Sequence, residues 1–332
     1  ARPVFVHLGL AKTGTTTLQQ DVFSKTPAIA YLGKNLVPEP LDAARRQLTR
    51  LPDSRFDPAA KRAAFEAHLG VTPGAPMFSD EDLSVWKFLD PAVMGARIGQ
   101  VFPDNRPIYV VRRPRDWVLS QYHFRLSTWR PDTMAGLNPW LEAHLERLEV
   151  GSDVAEIRFT DTFAHFWRAA GERPFLVLPF EMMAADLPGF LGKIEGFMGL
   201  GGELVALAAA AARDPRKARI DPRMAAYHRL LGMALDDPDG FLERARALAG
   251  CALPEDRQAF ESLAADPATE TEAWKAWLSG VQRRVRRALA AGDAQVAGAL
   301  DAPGDDSSRP DLLARIDAIA TEQTRAMRRD FG

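Results

Sequence analysis

Cysteine is all but absent: Cys251 stands alone among 332 residues. Neither an intrachain disulfide nor a cysteine-built metal site can form, and a reducing, cytoplasmic compartment is the expectation. An excess of one charge is missing too. The 42 basic and 44 acidic side chains leave a formal −2, so no global field collects nucleic acid or an anionic membrane, and any anion site must be local. No apolar run approaches the roughly 20 residues that span a bilayer, and the start Ala1-Arg2-Pro3-Val4-Phe5-Val6 lacks the charged stretch and apolar run of a secretion signal. A soluble protein is expected. The six histidines are scattered and never take the H-E-x-x-H spacing, so no metal is expected.

What is present is a core: 46% of the residues are hydrophobic, enough for one large α/β domain with or without a helical appendage. Short apolar, β-rich runs at Pro3–Gly9, Ala75–Phe78, Arg106–Val111 and Pro174–Phe180 read as strands. Helical spacing follows the first at Thr15–Phe23, the third from Pro114 to about Leu126, and the fourth through Leu187, Phe190, Leu191, Ile194, Phe197 and Met198. Residues 38–70 read as short surface helices and Pro91–Phe102 as another helix. Strands alternating with helices predict a central parallel sheet flanked by helices. From Glu203 onward the pattern is helical, with a linker at Pro303–Ser308 and a last helix carrying Leu312, Ile316 and Ile319 on one face. The expected division is an α/β core over 1–200 and a helical extension over 201–332, packing on the core or forming a homo-oligomer contact.

The chemistry concentrates at Gly9-Leu10-Ala11-Lys12-Thr13-Gly14-Thr15-Thr16, between a strand end and a helix start. Unpaired N–H groups and the helix dipole there suit an anion; a structural glycine turn is the alternative. Gly14 lets the backbone approach, the threonine hydroxyls donate, and Lys12 brings a full charge. A Walker loop places its lysine directly after the second glycine; here it comes two residues before.

Lys12-Thr13-Gly14-Thr15-Thr16 resembles the 5′-phosphosulfate loop of sulfotransferases that use 3′-phosphoadenosine-5′-phosphosulfate (PAPS), releasing 3′,5′-bisphosphoadenosine (PAP). The second half of that family's pattern is an arginine at a strand end, an aspartate four residues on and a serine eight residues on. Arg112, Asp116 and Ser120 match it, followed by Tyr122 and Phe124. The resemblance, nearer to bacterial and Golgi-type members, implies a P-loop-like fold, PAPS as co-substrate and a grip of Arg112 and Ser120 on its 3′-phosphate. Ser120 lies roughly 9 Å along the helix, within an arginine's reach of a shared phosphate. The sequence departs from animal cytosolic members in carrying Thr17 where an aromatic residue often stands, and in lacking a late Lys-Gly loop. Arg216-Lys217 is a candidate replacement; a solvated basic turn is the alternative.

Sulfuryl transfer resembles in-line phosphoryl transfer, with charge building on the bridging oxygen of the leaving phosphate. By the resemblance Lys12 meets that oxygen. The acceptor hydroxyl or amine needs a base from outside the two motifs. Glu81, after the strand ending at Phe78, is the first candidate, at the sheet edge where α/β folds carry their sites; Glu81 as a residue favouring a helix start is the alternative. His123 is second, with helix packing as its alternative; His7 reads as a core or edge residue rather than a catalyst, and Glu181 is a further candidate that a structural contact explains equally. Trp129, Trp140 and Trp167 suit an acceptor cleft or a core; Trp274 and Trp277 suit a packing face. Arg283, Arg284, Arg286 and Arg287 suit an acidic partner or a solvated face. The acceptor class, whether glycan, lipid or small alcohol, is not encoded. The competing readings are a P-loop kinase or NTPase using Mg-ATP, and a catalytically silent nucleotide-binding scaffold.

Overall fold

The computed structural model describes residues 2–34, 39, 41–84, 89–127, 133, 136–148, 154–211, 254–265, 271–294 and 309–331. The linker at 303–308, Arg216, Lys217 and Trp129 lie outside the described residues, as does the side chain of Trp274.

Five strands form one sheet: β1 (Val4–Gly9), β2 (Ile29–Tyr31), β3 (Ala75–Ser79), β4 (Asn105–Val111) and β5 (Leu176–Pro179). Their order is β2-β3-β1-β4-β5, and every pairing is parallel. The strand before the loop is therefore central, flanked by β3 (His7 opposite Ser79) and β4 (Gly9 opposite Val110). All six β1 residues are buried, as expected of a strand covered on both faces, which explains its unbroken apolar run. The four strands expected from sequence are present within two residues at each end. β2 was not expected: three residues are too few to display a period.

The helices are α1 (Thr15–Thr17, continuing as a π-helical turn over Leu18–Phe23), α2 (Leu41–Arg50), α3 (Pro58–Val71), α4 (Pro91–Val101), α5 (Pro114–Ser127), α6 (Leu137–Glu146), α7 (Phe159–Ala169), α8 (Phe180–Ala185), α9 (Leu187–Met198), α10 (Glu203–Ala211), α11 (Pro254–Ala264), α12 (Thr271–Ala290) and α13 (Pro310–Phe331). Asp57 and Asp90 cap α3 and α4, each accepting a backbone N–H ahead of a proline in the first turn. The wider π turn was not foreseen, although Leu18, Val22 and Phe23 are buried as their spacing required. They join Phe5, Ile108 and Val110 of the sheet and Phe190, Leu191 and Ile194 of α9 in one cluster. That cluster fixes where the loop between β1 and α1 stands.

Two compact units emerge, neither contiguous: residues 1–118, 144–216 and 313–332, and residues 119–143 and 217–312. In the first, α13 packs against α7: Thr160 donates its hydroxyl to the Gln323 carbonyl at 2.8 Å, and the Phe331 ring meets Trp167 at 4.9 Å and Phe163 at 5.0 Å. The last helix thus belongs with the sheet. In the second, α11 and α12 pair through Phe260 and Trp277, 5.5 Å apart, and Trp277 Nε1 donates to the Asp256 carbonyl at 2.9 Å. No described helix is long and apolar enough to cross a membrane.

Candidate active site

The loop leaves β1 at Gly9 and turns twice through left-handed backbone, at Lys12 (φ 68°) and Gly14 (φ 78°). A lysine there is strained, and such strain gathers at functional sites. Thr13 is buried and closes the turn on Leu10, its N–H at 3.3 Å and its hydroxyl at 2.5 Å from that carbonyl. Trp117 of α5, 1% exposed, donates its indole N–H to the Ala11 carbonyl at 2.7 Å. The loop is thus pinned on both sides before α1 begins, and the first N–H groups of a helix start lack intrahelical partners.

β4 and β5 deliver the second wall. Arg112, one residue past β4, donates Nη1 to the Lys12 carbonyl at 2.9 Å and holds its guanidinium 4.9 Å from the Phe180 ring centre. Glu181, at the start of α8, accepts the Arg113 backbone N–H at 2.9 Å. A Cβ added at Gly14 would come within 2.8 Å of Met183 Sδ and 3.1 Å of Phe180. The sequence reading assigned the bare glycine to ligand approach; the structure adds that α8 packs against it.

β3 delivers the third. Glu81, two residues beyond β3, accepts the Thr15 hydroxyl on Oε2 at 2.8 Å and lies 3.4 Å from Lys34 Nζ on Oε1. Lys34, three residues past β2, also reaches Asp82 at 3.5 Å. Burial lowers the Lys34 amine, yet Asp82, Glu81 and Asp80 together hold it above its ordinary value. Asp80 is buried and paired with Arg45; burial first and Asp82 second raise its carboxyl, against the pull of Arg45. Two of the loop hydroxyls find acceptors within the fold: Thr13 donates to the Leu10 carbonyl and Thr15 to Glu81. Thr16 is half-buried, with no side-chain hydrogen bond among the described residues.

The family model of the sulfotransferases matches residues 3–203, from β1 through the start of α10. The chain belongs to the sulfotransferase family. A search among curated sequences finds no match. Among solved structures, a sulfotransferase from Alicyclobacillus acidocaldarius aligns at 18% identity and TM-score 0.45, covering 75% of this chain and 96% of its own. Mouse sulfotransferase SULT7A1, complexed with PAP, aligns at 20% and 0.37, covering 67% and 69%. STF9 from Mycobacterium avium aligns at 18% and 0.39, covering 66% and 69%.

The remaining candidates of this sulfotransferase fall into place one by one. His7 is fully buried, hydrogen-bonded through Nδ1 to Ser79 Oγ at 2.8 Å, and Ser79 also accepts from Gln19 Nε2 at 3.1 Å. Burial pushes its imidazole down to about 4, so His7 is a neutral member of the β1–β3 seam. Glu181 caps the corner between β4 and α5. Ser120 is half-buried at the end of the second turn of α5; His123, further along, is half-buried with its ring 5.6 Å from that of Tyr122. Trp140 is buried 5.4 Å from the Tyr122 ring, and Trp167 packs on Phe331, so both have packing roles. Of the arginines in α12, Arg284 is bound to Asp256, with Nε at 2.9 Å. Lys34 and Trp117 were not singled out from sequence. The first depends on an unanticipated strand, and the second reads as one more apolar residue of a core helix.

Proposed function

We infer that this sulfotransferase moves the sulfuryl group of PAPS to a hydroxyl or amine, with the phosphosulfate seated on residues 12–16. The observation that carries the reading is that Glu81 and Arg112, from the strands on either side of β1, are each hydrogen-bonded to that loop. A carboxylate and a guanidinium held against one anion-binding turn supply, respectively, a proton acceptor and a clamp for a second phosphate. Family membership supports the reaction class, and a mouse relative has been crystallised with PAP.

In this scheme Glu81 takes the acceptor proton as the acceptor oxygen or nitrogen bonds to sulfur. The bond from sulfur to the bridging oxygen breaks in line, and PAP leaves carrying the charge that Lys12 meets. Arg112 holds the 3′-phosphate, the group that sets PAPS apart from ATP. The Glu81 carboxylate must exchange its Thr15 contact for the acceptor, while Lys34 stays beside its other oxygen and keeps it oriented.

Calorimetry with PAP and with ADP, without Mg²⁺, tests the donor; preference for ADP, or dependence on Mg²⁺, would replace this reading with a kinase. PAP release with panels of sugars, lipids and phenols then tests the chemistry. Glu81→Gln is expected to lower kcat by roughly 10²–10⁴ with PAP affinity kept, and Lys12→Ala by roughly 10²–10³; unchanged turnover in either removes that residue from the mechanism.

A further inference from the structure

A second hollow opens on the sheet unit where the first turn of α5 faces α13. It encloses about 760 Å³, between Arg113, Arg115 and Asp116 on one side and Asp317, Arg325 and Arg328 on the other. Four arginines against two aspartates leave it two positive charges in excess, in a chain whose formal charge is −2. Arg115 is tied to Asp317 at 2.7 Å. Arg113, Arg325 and Arg328 are exposed and have no ion pair among the described residues.

The dipole of α13 gives a reason for Arg328 in its last turn. It gives none for Arg325 and Arg328 to face Arg113 and Arg115 across one hollow, since converging like charges repel. An oxyanion between them reverses that sign, and guanidinium forks match phosphate, sulfate and carboxylate oxygens in pairs. Thr321 and Thr324 also line the cleft, but their hydroxyl protons go to the Asp317 and Ala320 carbonyls, each at 2.8 Å. The arginines are thus the principal donors. The cleft shares Arg113 and Asp116 with a smaller hollow lined by Arg112, Phe180 and Glu181, which joins it to the corner assigned to the donor.

We propose that this cleft binds an oligoanion, and that in this sulfotransferase it seats the acidic part of the acceptor, a chain bearing at least two sulfate, phosphate or carboxylate groups. The proposal rests on the sulfuryl-transfer reading only in naming the occupant an acceptor; the phosphates of the donor offer the same chemistry, and the test separates the two.

Titration calorimetry measures binding of a sulfated hexasaccharide and of PAP to the full chain, to Arg325→Glu/Arg328→Glu and to the milder Arg325→Ala/Arg328→Ala, with circular dichroism confirming the fold of each. Hexasaccharide affinity is expected to fall roughly tenfold in the charge-reversed pair and less in the alanine pair, with PAP affinity unchanged. A fall in PAP affinity instead keeps the anion cleft but makes the donor its occupant, overturning the acceptor assignment. Absence of hexasaccharide binding by the wild type, or equal affinities throughout for both ligands, overturns the cleft itself. Failure of the wild type to bind PAP at all counts against the donor reading and leaves the hexasaccharide arm standing.

Discussion

His7 makes stability depend on pH in a way that can be worked out beforehand. Unfolded, its imidazole has the ordinary value of 6.5; folded, burial holds it at about 4. The folded value is the lower one, so the native state resists a proton that the unfolded chain accepts. The contribution is fully present above pH 6.5 and is lost as pH falls toward 4. Over that 2.5-unit window, at 1.36 kcal/mol per unit, the loss is about 3 kcal/mol. The assay is urea unfolding at half-unit pH steps for the wild type and His7→Asn, with the imidazole carbon resonances followed by NMR. Carboxylate titration is common to both proteins and the cavity left by the substitution is a constant offset, so the pH-dependent difference between the curves isolates His7. That difference should shrink by about 3 kcal/mol between pH 7 and pH 4. A constant offset, or an imidazole titrating near 6.5, would refute the assignment of a buried neutral histidine.

Gly14→Ala should destabilise by about 1–3 kcal/mol, combining a left-handed residue with a contact on Met183. Adding Met183→Ala should restore the contact part alone, and full restoration in thermal unfolding would show the backbone angle to be irrelevant. Trp117→Phe leaves the Ala11 carbonyl without its 2.7 Å donor, costing about 1–3 kcal/mol and loosening the loop. Faster amide hydrogen exchange across residues 11–16 checks it, and unaltered exchange refutes it. Arg112→Lys keeps the charge but loses the fork and the Phe180 stacking, so PAP affinity should drop roughly tenfold by calorimetry; equal affinity would leave Arg112 a structural strap on Lys12.

Much of this architecture is legible in the sequence because parallel strands buried on both faces are continuous apolar runs, and four of them are set off by proline and glycine. The loop is legible because its glycines and hydroxyls sit between such a strand and a helix. What stays hidden is contact across distance. Thr15 meets Glu81 across 66 residues and Arg112 meets Lys12 across 100, and only the strand order brings those pairs together. Position after a strand was enough to mark Glu81, but Lys34 follows a strand too short to register. The hydroxyls of Thr13 and Thr15 were recognisable as donors, yet the acceptor of Thr15 is set by tertiary structure, and that of Thr13 by the turn it closes on Leu10.

The central place of β1 carries a consequence for synthesis. Its two partners are β3 at residues 75–79 and β4 at residues 105–111, so the strand leaves the ribosome before both of them and waits. At about 5–20 residues per second, several seconds pass before both neighbours exist. During that interval residues 4–9 are an unpaired apolar edge, open to wrong partners. A nascent chain stopped before residue 105 would therefore be a chaperone client, although residues 9–16 had all been made.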